Sequence, residues 1–366
     1  MDRRHAIAVL LASAANAHAA DLLALPSLPS RRAARALMLG IARAGNDIVA
    51  VGERGIVLYS TDGGTNWHQA TVPVSVTLTA VHFPTPTHGF AVGHDGVILA
   101  SRDGGRKWEL QYDGKRANEL VLASAERRLA QARDVKDEAA RKEAEIELDD
   151  ARAAVRAGAS RPLLSVWFRY EREGYAVGSY GQIFRTTDAG KTWEYVSAVP
   201  NPDRLHYNAI TQTPGGTLVI AGEAGRVYRS SNKGASWQRL DTGYKGHLYG
   251  VLGVPTAGRA GETLLAFGFG GNVFRLGEDG RSWERPASGA RKSLVGGAVR
   301  GATVVLACQD GGLVISRDGG MTMHYLPGDA PLPLSGIALV ALNQIAVAGF
   351  GGARVVSSEL QKRVLL

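Results

Sequence analysis

The chain has 366 residues, a net charge of +8 and 45% hydrophobic residues, a composition typical of a folded globular protein rather than a disordered or fibrous one. Its single cysteine, Cys308, excludes an intramolecular disulfide framework. The surplus of basic residues favours acidic partners, namely an acidic patch of a protein, an anionic lipid surface or a polyanion, with a role in solubility alone as the alternative.

The first twenty residues have the pattern of a secretory signal peptide. A short basic start, MDRRH, precedes the apolar stretch AIAVLLASAANA and then the small residues AHAA. This apolar run is shorter than the roughly 20 residues that span a bilayer, and no other stretch is apolar enough to do so. We therefore expect residues 1–20 to be a signal peptide, and the protein to be periplasmic or otherwise exported and not membrane-spanning.

One motif, S-x-D-x-G-x-x-W, recurs along most of the chain. Its aromatic positions are spaced 41, 85, 44, 46 and 40 residues apart, with Met323 in the last one, so one unit carries an insertion. The aspartate can accept hydrogen bonds from the amides of its own turn, and the Trp can cover the seam with the next strand, so we expect a structural motif. Its predicted structural residues are Asp62, Trp67, Asp103, Trp108, Asp188, Trp193, Asn232, Trp237 and Asp318.

A second marker, G-x-x-G, precedes each copy of this motif. Seven copies run from Gly52/Gly55 to Gly349/Gly352, and Cys308 replaces the first glycine of the sixth. Each unit also contains four short β-type runs, and four strands in roughly 42 residues match one propeller blade. The sequence therefore predicts an all-β fold, a seven-bladed β-propeller of four-stranded blades over residues 21–366. We expect DLLALP (21–26) or KRVLL (362–366) to form the outer strand of blade seven.

Residues 115–160, between blades two and three, differ from the rest of the chain. From 116 to 156 there are nine basic and ten acidic residues, many alanines, and neither proline nor glycine. This composition predicts a charged α-helical hairpin that turns near 134–137, with each arm about 30 Å long. The hairpin is either a partner-binding arm or a decoration without contacts.

The repeats resemble the Asp-boxes of the bacterial neuraminidase repeat, which occur in sialidases and in non-enzymatic propellers. The fuller pattern, best seen in GHDGVILASRDGGRKW (93–108), resembles the photosystem II stability and assembly factor family over residues 35–358 apart from the insertion. The resemblance implies an exported propeller that assists assembly of a membrane complex, without chemistry of its own. Whether the host photosynthesises stays open.

Strand order divides the predicted ring into two faces. The Asp-box turns lie on one, the Asp-box face. The G-x-x-G turns and the connections between blades lie on the other, the GxxG face. Cations in these turns and connections predict a basic rim that docks an acidic protein surface of an envelope membrane complex, with loops that merely carry charge as the alternative. The predicted rim residues are Arg54, Arg116, Arg161, Arg204, Lys245, His247, Arg291 and Lys292.

Three aromatic residues in the G-x-x-G turns, Tyr180, Phe269 and Phe350, are predicted contact residues or plugs of the channel mouth. The alternative function is a carbohydrate-binding or sialidase-like glycoside hydrolase propeller. However, the first box lacks the preceding F-R-I-P or Y-R-I-P segment that carries the first sialidase arginine. The scattered histidines predict no metal site, and we expect no cofactor, no nucleic acid and a monomer.

Overall fold

The computed structural model describes residues 21–134, 137–255, 261–341 and 344–365. The predicted signal peptide, residues 1–20, lies outside them. The described chain contains seven antiparallel sheets and three α-helices. Among these helices, none is both long enough and apolar enough to cross a bilayer.

Each sheet uses its strands in chain order. Blades one to three comprise β1 (Met38–Ala44), β2 (Asp47–Gly52), β3 (Val57–Ser60), β4 (His68–Gln69), β5 (Leu78–His82), β6 (Gly89–Gly93), β7 (Ile98–Ser101), β8 (Glu109–Tyr112), β9 (Leu163–Phe168), β10 (Gly174–Gly178), β11 (Ile183–Thr186) and β12 (Glu194–Tyr195). Blades four and five comprise β13 (Tyr207–Gln212), β14 (Leu218–Gly222), β15 (Arg226–Ser230), β16 (Gln238–Asp241), β17 (Leu248–Pro255), β18 (Glu262–Gly268), β19 (Val273–Leu276) and β20 (Trp283–Glu284). Blades six and seven comprise β21 (Leu294–Arg300), β22 (Thr303–Cys308), β23 (Leu313–Ser316), β24 (His324–Leu326), β25 (Leu334–Ala341), β26 (Gln344–Gly349) and β27 (Gly352–Val355).

The first strands of the seven sheets form the inner wall of a closed ring. Each first strand packs against the first strand of the next blade, and β25 packs against β1. Side chains also hydrogen-bond between blades at this wall: Thr79 Oγ1 donates to the carbonyl of Leu163 at 2.7 Å, and Ser335 Oγ donates to the carbonyl of Met38. The structure thus confirms the predicted propeller, with blades one and seven packed side by side.

Apolar side chains from adjacent blades form the cores between them. Phe90 of blade two stacks on Phe168 of blade three, with ring centroids 3.5 Å apart. Trp193, from the Asp-box of blade three, meets Phe168 edge-on at 6.0 Å. Burying aromatic pairs of this kind supplies much of the packing energy of a β architecture.

Neither chain end forms the predicted fourth strand of blade seven, so that expectation is wrong. DLLALP lies instead over the connection between blades one and two, where the N–H of Ser75 donates to the carbonyl of Leu22 at 2.9 Å. The C-terminal segment forms helix α3 (Ser358–Leu365), whose Leu360 and Val364 pack on blades six and seven. Leu360 and Val364 are four residues apart and so share one face of the helix, and Val356, just before the helix, packs in the same core.

The insertion between blades two and three forms the predicted hairpin of two helices, α1 (Gly114–Arg133) and α2 (Glu138–Ala157). Asp113 caps α1 by accepting two backbone N–H groups at 3.0 Å, and Asp137 caps α2 in the same way. The helices pack on each other and, through α1, on the outer strand β12 of blade three. The hairpin therefore lies against the ring.

The two glycines of the G-x-x-G marker serve different physical purposes. In blade two, Gly96 has φ +66, a left-handed conformation that L residues rarely adopt. Gly93 instead has an extended backbone, with φ −171. A Cβ at Gly93 would lie 2.3 Å from the carbonyl oxygen of Thr77, at the start of the blade's first strand. The first glycine is therefore needed because the backbone before the first strand lies too close to leave room for a Cβ.

Candidate functional site

The Asp-box turns connect strands three and four through one repeated hydrogen-bond pattern. In blade two, the Ser101 hydroxyl donates to Asp103 Oδ1 and accepts from the N–H of Gly105, both at 2.9 Å. Asp103 Oδ1 also accepts the N–H groups of Arg106 and Lys107 at 3.0 Å. The same hydroxyl bridge occurs in four other blades, at Ser60–Asp62, Thr186–Asp188, Ser230–Asn232 and Ser316–Asp318. Because three groups of the same turn hydrogen-bond to Asp103 Oδ1, this side chain stabilises the fold of the turn.

Asp-box residues also join each blade to the preceding one. A Cβ at Gly234 of blade four would lie 2.4 Å from Tyr175 Oη of blade three. The Tyr175 hydroxyl donates to the carbonyl of Lys233 at 2.8 Å, and Gln111 Nε2 of blade two donates to the carbonyl of Ala189 at 3.2 Å. Four box tryptophans cover these seams, with Trp108, Trp193 and Trp237 buried and Trp67 half-buried. The Asp-box face is thus occupied by joints between blades.

The Asp188→Asn variant is expected to show how much one Asp-box contributes to the loss of folding stability at low pH. Hydrogen bonds from the Thr192 hydroxyl and N–H lower the pKa of Asp188 from 3.8 to about 2. A lowered carboxyl pKa adds stability above pH 4, and this contribution disappears as the pH falls through 2. Asparagine keeps the geometry, as Asn232 shows by accepting from the Ser236 N–H and donating to its hydroxyl. The variant should therefore be less stable than wild type at pH 7, with the difference vanishing between pH 4 and pH 2.

Thermal unfolding followed by circular dichroism between pH 7 and pH 2 measures this difference. Glu126→Gln, at an exposed position of α1 without an ion pair among the described residues, is the matched control and should follow wild type throughout. A constant gap between Asp188→Asn and wild type across the whole range would contradict the assigned role.

The G-x-x-G turns lie on the opposite face and are all held in one way. In each blade, the residue directly after the first marker position donates its N–H to a backbone carbonyl. That carbonyl belongs to the residue directly before the first strand of the same blade, and the N···O distances are 2.8–3.3 Å. The seven equivalent first residues are Glu53, His94, Ser179, Glu223, Phe269, Gln309 and Phe350. Phe269 and Phe350 are 53% and 54% exposed, so about half of each side chain is open to solvent.

The predicted rim cations fall into two groups. Six are exposed: Arg54, Arg116, Lys245, His247, Arg291 and Lys292. Within the described residues, Lys245, Arg291 and Lys292 form no ion pair, so their charges are available to a partner. The other two, Arg161 and Arg204, are half-buried beside the hairpin, and Arg204 is paired with Asp150 of α2. Together with His247, which lies 3.3 Å from a Glu223 carboxylate oxygen, three of the eight are therefore already engaged within the chain.

A continuous polar and aromatic ridge crosses the GxxG face from blade three to blade five. The Arg161 guanidinium lies over the Tyr180 ring at 5.0 Å, and the Tyr180 ring lies 5.1 Å from that of His206. Glu223 Oε2 is 2.9 Å from His206 Nδ1, and its Oε1 is 3.3 Å from His247 Nδ1. We call this set, Arg161, Tyr180, His206, Glu223 and His247, the blade 3–5 ridge.

Glu223 is the electrostatic centre of the ridge. Partial burial raises its pKa, but hydrogen bonds from the His206 N–H and imidazole, together with the two imidazole charges, bring it below the ordinary value. The carboxylate therefore stays ionised at neutral pH and holds both imidazoles in place. Glu223 lies in the G-x-x-G turn of blade four and His206 in the connection before it, and the Glu223 N–H donates to the His206 carbonyl at 3.3 Å, which brings the two side chains together.

A groove separates the hairpin from the rim of blades three and four, with a cavity volume of about 350 Å³. One wall comes from α1 and α2, including Val121 and Ala151, and the other from the 196–206 connection, including Val199 and Pro200. Tyr180, Tyr195, Arg161 and Arg204 also line it. The groove thus joins the ridge to the hairpin and could receive an extended segment of chain. Sequence reasoning missed it, because its walls are contributed by residues far apart in the chain.

Among the described residues, neither a metal-ion site nor a site of thiol chemistry is found. They contain no group of three histidine, cysteine or acidic side chains that could hold a metal ion. The single thiol, Cys308, is buried, and burial raises its pKa to about 11, so it is protonated at neutral pH.

Seven antiparallel sheets closed into a ring, with hydroxyl-bridged Asp-boxes between the third and fourth strands, define an Asp-box β-propeller. The sequence matches the BNR/Asp-box repeat over residues 58–69. It matches the family described as photosynthesis system II assembly factor YCF48 over residues 65–126 and 150–331, more than half of the chain. This protein belongs to that family, as the repeat pattern predicted, and the gap at 127–149 falls within the hairpin.

Solved structures agree on the fold. A structure of YCF48 bound to a D1 peptide is similar with a TM-score of 0.62 and 17% identity, covering 91% of this chain and 98% of that one. YCF48 from Cyanidioschyzon merolae has a TM-score of 0.60 and 15% identity, covering 90% and 96%. The WD40 β-propeller domain of Doa1 has a TM-score of 0.60 and 10% identity, covering 92% and 96%. No curated protein matches the sequence.

Proposed function

We propose that this protein is a non-catalytic scaffold that assists assembly or stability of a membrane protein complex by docking an exposed segment of one subunit. The observation that carries the proposal is membership of the YCF48 assembly-factor family. The similar YCF48 structure has a D1 peptide bound, which supports a peptide segment as the kind of ligand. We propose export to the periplasm or an equivalent compartment, based on the expected signal peptide at residues 1–20, and a monomeric state.

The GxxG face is the proposed docking surface. The Asp-box face is used for joints between blades, whereas the GxxG face presents exposed cations at Lys245, Arg291 and Lys292 without internal partners among the described residues. Phe269 lies in the same sector and is more than half exposed. Exposed cations beside an aromatic side chain suit an acidic protein surface that also presents apolar groups.

The hairpin is proposed to extend this surface. It forms one wall of the groove that begins at Tyr180, and residues 127–149 within it have no counterpart in the matched family pattern. An extended peptide in the groove would contact apolar walls at Val121 and Val199 and the aromatic side chain of Tyr180. The hairpin would therefore adapt the propeller that the family shares to the particular partner of this protein.

Hydrolysis of a sialidase type is not proposed, because the matched family is that of an assembly factor. Carbohydrate binding would need aromatic residues clustered at one platform. The three candidates lie on alternate blades, with Tyr180 in blade three, Phe269 in blade five and Phe350 in blade seven.

Reversing three rim charges tests the proposal. The triple variant Lys245→Glu, Arg291→Glu, Lys292→Glu should reduce crosslinked capture of the partner from solubilised membranes of the native organism by about tenfold or more, since each charge would then repel an acidic surface. Arg204 is left unchanged because its reversal would face Asp150. The quantity measured is the amount of membrane protein recovered per molecule of bait.

The matched control reverses three exposed cations of the Asp-box turns, Arg102, Lys107 and Lys191. This variant has the same net charge as the first and should capture the partner as well as wild type does. If both triple variants capture the same amount of partner, whether as much as wild type or none, the cations of the GxxG rim are not the docking determinant.

A further inference from the structure

The N-terminal part of the described chain, residues 21–36, forms a strap across the GxxG face of blades one and two, with a turn at 22–24 and a 3-10 helix at Ala33–Arg35. Backbone bonds hold it, with the Ser27 N–H donating to the carbonyl of Val72 at 3.0 Å. The Ser27 hydroxyl donates to the carbonyl of Arg54, in the G-x-x-G turn of blade one, at 3.0 Å. Gln69 Nε2 donates to the carbonyl of Leu28 at 3.0 Å. The strap therefore has a fixed position.

This fixed strap presents three leucines to solvent. Leu22, Leu25 and Leu28 are 45%, 43% and 78% exposed, while Leu23 packs inward against the core of blades one and two. Three exposed leucines within seven residues of a fixed segment are the basis for an interaction surface here.

Unpaired cations surround these leucines. Arg31 and Arg32 follow in the strap and Arg54 lies beneath Ser27, and all three are exposed. Across the part of the chain that the structure describes, none of the three forms an ion pair. The acidic residue of the strap, Asp21, lies 3.4 Å from Lys115, so the sector combines exposed leucines with three arginines that have no ion-pair partner among the described residues.

The same combination continues onto blade seven. The end of the strap touches that blade, since a Cβ at Gly352 would lie 2.0 Å from the carbonyl oxygen of Ala34. Leu332 and Phe350, at the adjoining turn, are 40% and 54% exposed. The exposed apolar groups therefore extend over blades seven, one and two.

We propose that this sector, the strap together with Arg54, Leu332 and Phe350, rests on an anionic lipid bilayer. Exposed leucines can enter the interfacial layer of a bilayer while the neighbouring arginines contact its phosphate groups. Apolar insertion and positive charge are the two signals that reversible membrane attachment requires together. The inference goes beyond the proposed function and concerns a different sector from the blade 3–5 ridge.

Vesicle sedimentation tests this proposal with lipid alone. The chain is produced from Asp21, which retains every described element and removes the apolar leader that would bind lipid by itself. Wild type should sediment with vesicles of equal parts phosphatidylcholine and phosphatidylglycerol, and far less with phosphatidylcholine alone. Leu22→Ser, Leu25→Ser, Leu28→Ser and, separately, Arg31→Gln, Arg32→Gln, Arg54→Gln should each weaken the binding by about tenfold or more.

The control is the double variant Leu110→Ser, Met321→Ser, whose native side chains are 39% and 52% exposed and lie outside the strap sector. It should sediment as wild type does, and circular dichroism checks that all variants are folded. Absence of wild-type sedimentation, or equal sedimentation of the strap variants, would overturn the proposal. Because the vesicles contain no protein, this outcome is independent of whether the docking partner exists.

Discussion

Gly93→Ala is expected to lower the free energy of unfolding by about 3 kcal/mol or more, a large effect for adding one methyl group. The new Cβ would lie 2.3 Å from the carbonyl oxygen of Thr77 and 2.9 Å from the Cα of Leu78, both of which are backbone atoms. That carbonyl is fixed, since it accepts the N–H of His94 at 2.8 Å. Relief therefore requires moving the first strand of blade two, which packs against the blades on both sides.

Blade six offers the matched control for this prediction. Cys308 occupies the equivalent position, and the turn there is different, with the Gly311 N–H donating to the Cys308 carbonyl at 3.0 Å. Cys308→Gly should cost only about 1–2 kcal/mol, the price of removing a small buried side chain. Urea unfolding followed by tryptophan fluorescence measures both values. A loss at Gly93→Ala no larger than that at Cys308→Gly would contradict the close-approach explanation.

The repeats made most of the fold predictable. Two markers at a regular spacing define a blade, and seven copies of the G-x-x-G marker define the ring, because each unit can bury its apolar faces only against its neighbours. The helical hairpin was equally predictable from its alanine-rich, glycine-free composition. The role of the box hydroxyl was missed, although Ser or Thr stands at that position in Ser60, Ser101 and Thr186.

The chain ends were mispredicted because only their hydrophobicity was considered. An apolar terminal segment can cover the edge of a blade either as a strand or as a helix, and the spacing of 356, 360 and 364 favours a helix. Helix α3 packs on blades six and seven and thereby covers the apolar surface that a fourth strand would otherwise cover.

The candidate site was less predictable than the fold. Which residues lie on the GxxG face follows from strand order, so the cations and aromatic residues could be assigned to it. The pairing of Arg204 with Asp150 depends on how the hairpin lies against the ring. That orientation is set by packing, in which Ala117 and Val121 of α1 meet a core that includes Tyr195 of β12. Contacts of this kind are not encoded in a local motif.

Site-specific photocrosslinking is expected to locate the partner on one face of the ring. A photoreactive phenylalanine analogue at Phe269 or Tyr180 should crosslink the partner, because both side chains are more than half exposed on the GxxG face. The same analogue at Tyr170 or Met321, which are 65% and 52% exposed at turns of the Asp-box face, should give no such crosslink. All four positions are exposed, so each substitution should leave the core intact.

This comparison is the most direct test of the central claim, that the GxxG face docks a membrane-complex subunit while the Asp-box face holds the ring together. The four variants are crosslinked in parallel in solubilised membranes of the native organism, and adducts are identified by mass spectrometry. The account predicts the same subunit at Phe269 and Tyr180 and none at the other two positions. The same adduct from Tyr170 or Met321, with none from Phe269 and Tyr180, would contradict it.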